Sequence, residues 1–198
     1  MNVEAVLTAL LAAAILTSVT PMLAAVGEAV SEQSGLLNLG IEGVLAIAAF
    51  SAFWVTLETD SHALGLLTSM TVGIGCGVAF GVFATTGGAN QVVLGLGMTL
   101  AGTGASAFLF RTVFGSDQPL LSGGPGRPFA GWGDWLPVMG PALFDQRWFV
   151  HVAWVIVVTM HLMMRHSLFG LRVRAAGELP IGLEAVGGNV TTTRIVAA

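Results

Sequence analysis

ALGLLTSMTVGIGCGVAFGVFAT, residues 63–85, runs for 23 residues without an Asp, Glu, Lys or Arg. A helix that crosses a bilayer needs about 20 mostly apolar residues, so this stretch can span one by itself. Four other apolar stretches accompany it, at residues 5–25, 36–57 (interrupted by Glu42), 92–110 and 148–164, and a sixth begins at Ile195 and is cut off by the end of the sequence. Composition agrees: 55% of residues are hydrophobic, 9% are charged, and mean hydropathy is +0.85. The expected fold is all-α, a polytopic transmembrane helical bundle of about five complete spans plus the start of a sixth, with residues 1–198 as a single transmembrane domain.

The same numbers exclude several function classes. A net charge of −4, with seven Arg and no Lys spread along the chain, leaves no basic patch to neutralise phosphates, so no nucleic acid is expected as a partner. Membrane lipid is. The single cysteine, Cys76, rules out an intramolecular disulfide and a cysteine metal cluster. No metal site is expected. The N-terminal apolar stretch lacks a positive leader and a small-residue cleavage site, and reads as a retained helix.

Punctuation between the apolar stretches sets the expected organisation. Pro21 falls in the last turns of the first, where it kinks a helix, and a polar segment, 27–34, returns the chain to the second. The uninterrupted apolar part of that second stretch, 44–57, has 14 residues. At 1.5 Å per residue it reaches about 21 Å, so spanning draws in residues 36–43 and takes Asn38 and Glu42 towards membrane depth. Gly35, Gly40 and Gly43 punctuate this approach and suggest a broken backbone. Gly73, Gly77 and Gly81 make a small-residue ridge on the third helix, the pattern of a close helix contact. Residues 112–147 hold Gly115, Gly123, Gly124, Pro125, Gly126 and Pro128 and should form turns, with Trp132, Trp135 and Trp148 suited to the interface. Arg165, Arg172, Arg174 and Arg194 outnumber Arg111, Arg127 and Arg147 by four to three, which favours a cytoplasmic 165–194 loop.

Glu42 is the ionisable group that most needs an explanation, since a carboxylate near hydrocarbon must be paired, wetted or protonated. It either caps a half-helix, with Asn38 and backbone nearby, or lines a pathway. Asn90 and Gln91 open the fourth helix, and Asn90 reads as its N-cap. His151 and His161 are ten residues apart, about 15 Å along a helix, so they cannot share a metal and read as boundary or packing residues. Gly104-Ala105-Ser106-Ala107 with either histidine faintly resembles the serine motif of rhomboid intramembrane proteases, but Ala107 stands where that motif ends in Gly. No phosphate loop, HExxH or GxSxG occurs, and no catalytic residue is assigned.

Residues 165–194 form a polar, Gly-rich stretch in an otherwise apolar chain. Its centre, 178–186, is expected to be a short surface helix flanked by Gly177 and Gly187-Gly188, a shape suited to the groove of a soluble partner. Three patches then carry a resemblance: GE at 27–28 with SEQSGLLNLGIEG at 31–43, ANQVVLG at 89–95, and FGLRVRAAGE at 169–178. In this pattern the chain resembles the permease subunits of ABC importers for nucleosides and simple sugars, in the branched-chain amino acid and ribose permease superfamily. Gln33 and Ser34 replace that family's usual Arg and Ala, and Leu179 its usual Asn.

The resemblance implies a transport subunit without bond chemistry or a cofactor of its own, in the inner membrane of a prokaryote. ATP and Mg would bind a separate ABC ATPase subunit, with a second permease subunit completing the pathway. A periplasmic or lipoprotein substrate-binding protein would deliver the ligand. Asn38, Glu42, Asn90 and Gln91 would lie near the substrate path. Arg174, Gly177, Glu178, Glu184 and Gly187 would belong to the cytoplasmic coupling loop, and further helices would follow it. The alternatives are a rhomboid-like intramembrane serine protease and a truncated, non-transporting membrane scaffold.

Overall fold

Apolar runs this long have few options in a bilayer, because every backbone N–H and C=O must find a partner without water, and a helix supplies them internally. The computed structural model describes residues 3–116, 119–121, 126–133 and 135–198; Gly123, Gly124 and Pro125 of the turn-rich stretch lie outside them. Among the described residues there are helices and no strand. Five helices are long and apolar enough to span: α1 (Val3–Gln33), α2 (Ile41–Thr59), α3 (His62–Thr85), α4 (Gln91–Phe114) and α6 (Trp148–His166). The short α5 (Met139–Phe144), α7 (Leu168–Glu178), α8 (Pro180–Ala185) and α9 (Val190–Ala197) complete the order. The chain is thus an all-α, multi-pass membrane protein.

Two expectations about α1 and α2 change. Residues 27–34 do not form a polar return loop; α1 continues through Pro21 and through them to Gln33. Polarity alone does not stop a helix, and nothing in Glu28–Gln33 is a breaker. The stop is Ser34-Gly35. Gly35 adopts φ +89°, the Gly35 N–H donates to the Glu32 carbonyl at 2.9 Å, and the Leu36 N–H donates to the Ser31 carbonyl at 3.1 Å. That is a Schellman ending, which only glycine enters without strain. The backbone is then non-helical to Gly40, and α2 begins at Ile41. With 19 residues, about 28 Å, α2 spans without residues 36–40.

The chain divides into two compact units. The first comprises residues 1–26 and 124–165. In it Val19, Val150 and Ala153 are buried together, with Leu16, Met22 and Trp154 packed around them. The buried Gln146 amide donates to the Ala142 carbonyl at 2.7 Å and to the Ala12 carbonyl at 3.1 Å. Trp132 and Trp135 project outwards, 70% and 76% exposed.

The second unit, residues 27–123 and 166–198, holds α2, α3 and α4, the end of α1 and the helices α7 to α9. Here α2 packs on both α3 and α4. Its contact with α4 is backbone on backbone. A Cβ on Gly43 would collide with the Met98 carbonyl, and one on Gly102 with the Gly43 carbonyl. The expected ridge on α3 is used in part: Gly77 faces Ala198 and Gly81 faces Ala198 and Ile195 of α9, whereas a Cβ on Gly73 would meet nothing within 4 Å.

At the start of α4, Asn90 is the N-cap. Its Oδ1 accepts from the Val92 and Val93 amides at 3.0 and 3.3 Å. Asn90→Ala is therefore expected to cost about 1 kcal/mol locally. Hydrogen exchange at Val92 and Val93 should accelerate by roughly fivefold; unchanged exchange would contradict the capping role.

Candidate functional site

The break between α1 and α2, residues 34–40, lays non-helical backbone against α4. A Cβ on Gly95 would sit 2.9 Å from the Leu39 nitrogen, and one on Gly40 would sit 2.9 Å from the Met98 Cβ, so both glycines are there to allow the approach. Irregular backbone within a membrane protein is tolerated where protein groups replace the lost helical bonds. Side chains from α1 and α4 do this. The Leu37 amide donates to Gln91 Oε1 at 2.8 Å, and the Asn38 amide to Glu28 Oε1 at 2.9 Å. The Gly40 amide donates to Asn38 Oδ1 at 2.9 Å. On the acceptor side, Thr99 Oγ1 donates to the Leu39 carbonyl at 2.9 Å and Ser31 Oγ to the Leu36 carbonyl at 3.2 Å. Leu36, Asn38, Ser31 and Ser34 are all buried.

Of the four polar residues proposed from sequence, two take part in holding the linker: Asn38 lies within it, and Gln91 binds the Leu37 amide one residue before. Asn90 is adjacent but turned to its own helix. Glu42 lies in the first turn of α2 with its side chain exposed, where the helix dipole favours a carboxylate. Sequence reasoning did not single out Glu28 or Thr99. Glu28 Oε2 is buried and has no hydrogen-bond partner among the described residues. That leaves one open acceptor beside Asn38. A signal existed for it: Glu28, like Glu42, is a carboxylate directly continuous with an apolar helix.

The segment after α6 is more ordered than a loop. Ser167 Oγ caps α7 by accepting from the Gly170 amide at 3.2 Å, and Gly170, Val173 and Ala176 form the buried side of that helix. The predicted short helix is α8, shorter than expected at Pro180–Ala185, with Pro at its start and Gly187, φ +81°, at its end. Gly177 is buttressed against the α1 end, where a Cβ would collide with the Gln33 carbonyl. Arg174 is half-buried on α7, while Glu178 and Glu184 are exposed. So too are Leu179, Ile181 and Val186, at 63%, 79% and 82%. A groove of about 430 Å³ lies beside them, lined by Leu168, Leu171, Arg172, Leu179, Leu183 and Val186.

Ser106 lines a different groove, with Phe50, Phe53, Thr103, Phe110 and Arg111 and no histidine. Among the described residues no three His, Cys, Asp or Glu side chains cluster as metal ligands.

Residues 10–198 match the family described as branched-chain amino acid transport system / permease component. The chain is 33% identical over 197 residues to the putative glucose ABC transporter permease protein TsgC13 of Haloferax volcanii, covering 95% of this chain and 57% of that one. It is 27% identical over 205 residues to the guanosine ABC transporter permease protein NupQ of Bacillus subtilis, covering 99% and 64%. It is also 27% identical over 214 residues to the nucleoside ABC transporter permease protein NupC of Lactococcus lactis subsp. cremoris, covering 98% and 63%. The chain therefore spans less than two thirds of the length of these relatives. No solved structure matches it.

Proposed function

The chain belongs to the branched-chain amino acid transport system permease family, and from that premise we propose that it is part of the membrane permease of an ATP-driven importer for nucleosides or simple sugars. The observation that carries the reading is the 34–40 linker, a length of irregular backbone held by Glu28, Gln91 and Thr99. Protein partners fill the linker's backbone groups named above, so what the segment offers a neutral polyhydroxylated ligand, which needs directional partners more than charge, is the open carboxylate oxygen beside Asn38. The open Glu28 Oε2 suits a ligand hydroxyl or amide donor. Because that oxygen is buried, a ligand reaches it only when the linker moves, as alternating access requires.

The exposed apolar residues in and flanking α8 support a docking role for α7–α8. In this reading they enter a cleft of a separate ATPase subunit that hydrolyses ATP. A second permease subunit completes the pathway, and a substrate-binding protein delivers ligand on the other side of a prokaryotic inner membrane. Arg174, Gly177, Glu178, Glu184 and Gly187 shape or flank the docking surface, while Asn38 and Gln91 shape the path.

Purification from native membranes tests the assembly. An ABC ATPase should co-purify with the chain. Glu184→Arg, on the exposed face of α8, should reduce its recovery at least tenfold without changing the yield of the membrane subunit. Purification of the intact membrane subunit with no ATPase would overturn the reading.

A further inference from the structure

Arg194 joins two helix ends that have no covalent connection near each other. Its Nε donates to the Ser34 carbonyl at 3.0 Å and its Nη2 to the Ala176 carbonyl at 3.0 Å. The Ala176 carbonyl lies in the last turn of α7 and the Ser34 carbonyl just past the last residue of α1, where helical bonding leaves acceptors unfilled. Each end also carries the negative pole of its helix dipole, so a guanidinium is favoured there over a neutral donor. Room for it exists because Gly35 lacks a side chain: a Cβ there would sit 3.1 Å from Arg194 Nη2 and 3.4 Å from the Gly177 Cα, while the bare Gly177 lets the two helix ends approach, since a Cβ on it would collide with the Gln33 carbonyl. Arg194 itself rides on α9, which packs on α3.

The two joined ends have different jobs. The α7 end leads directly into α8, the exposed docking hairpin. The α1 end leads directly into residues 36–40, the linker with Asn38. We propose that Arg194 is the joint that carries movement of α7–α8 into the Asn38 linker, a positioning residue for transport that touches neither ligand nor nucleotide. This rests on the permease reading above. The planar fork matters, because one lysine ammonium is a point charge on a flexible stem and cannot hold two diverging carbonyls in fixed geometry.

The test uses the complete transporter with its ATPase and binding protein in proteoliposomes, with radiolabelled guanosine and glucose as probes. ATP-dependent uptake of either by the unmodified complex comes first; its absence would count against the permease reading and not against the joint. In Arg194→Met, the complex should assemble and hydrolyse ATP at its basal rate, while uptake falls at least tenfold and the ligand-stimulated part of hydrolysis disappears. Arg194→Lys should assemble and transport at an intermediate rate, with more ATP consumed per ligand moved. Should Arg194→Met fail to assemble, the ATP-to-ligand ratio of Arg194→Lys decides: a raised ratio supports the joint. An unchanged ratio in Arg194→Lys, or uptake by Arg194→Met within twofold of the unmodified complex, would overturn it.

Discussion

Replacing Gly43 with leucine is expected to leave no monodisperse protein on size-exclusion chromatography in detergent. At the α2–α4 crossing the carbonyl of Met98 and the Cα of Thr99 occupy the space a side chain would need, and Gly102 meets the Gly43 backbone in return. Overpacking a core ordinarily costs about 1–3 kcal/mol because neighbouring side chains can shift. Here the obstacle is backbone on both helices, so relief requires the helices to separate along the contact. Separation would also pull Thr99 away from the Leu39 carbonyl and Gly95 away from the linker. Even Gly43→Ala should lower the melting temperature. Gly73→Ala is the control, since nothing lies within 4 Å of its Cβ position and alanine is the better helix former. A Gly43→Leu protein that elutes and melts like the parent would refute the close crossing.

Gln91→Leu is expected to remove transport while leaving the spanning helices folded. Gln91 Oε1 is the partner of the Leu37 amide, and leucine supplies no acceptor of similar reach. Losing that partner removes a bond worth about 0.5–1.5 kcal/mol that fixes the linker backbone against α4, and the linker is then free to change conformation. Asn38 follows one residue later and would lose its position relative to Glu28. The initial rate of uptake should fall at least tenfold, with ATPase recovery unchanged. Gln91→Glu retains the acceptor oxygens and should keep most activity. If Gln91→Leu transports normally, the linker does not depend on this bond.

The spanning helices were legible because a long apolar run, with charge at most near its ends as in α2, has almost no alternative to a helix across the bilayer. The Asn90 cap was legible for a local reason as well: an asparagine follows Gly87-Gly88 and precedes a long apolar run. The break before α2 showed through Gly35, Gly40 and Gly43. What failed was the assumption that polar residues 27–34 would leave the helix as a return segment, when the helix runs to Gln33 and the stop signal was Ser34-Gly35.

The site was legible only in part, because its bonds link distant residues. Leu37 and Gln91 are 54 apart, and Ser34 and Arg194 are 160 apart. No local periodicity reports such pairs. Spacing likewise cannot tell a glycine that permits contact, such as Gly43 or Gly102, from one that faces open space, such as Gly73 or Gly104. Arg194 entered the sequence reading only as one positive charge among seven.

The most direct test of the central claim is concentrative uptake in proteoliposomes that contain the permease, its ATPase and its binding protein, with labelled guanosine and glucose offered separately. The expected result is ATP-dependent accumulation of at least one of them above the external concentration, with its initial rate reduced at least tenfold by Gln91→Leu. An assembled complex that hydrolyses ATP yet accumulates no nucleoside or sugar would contradict it.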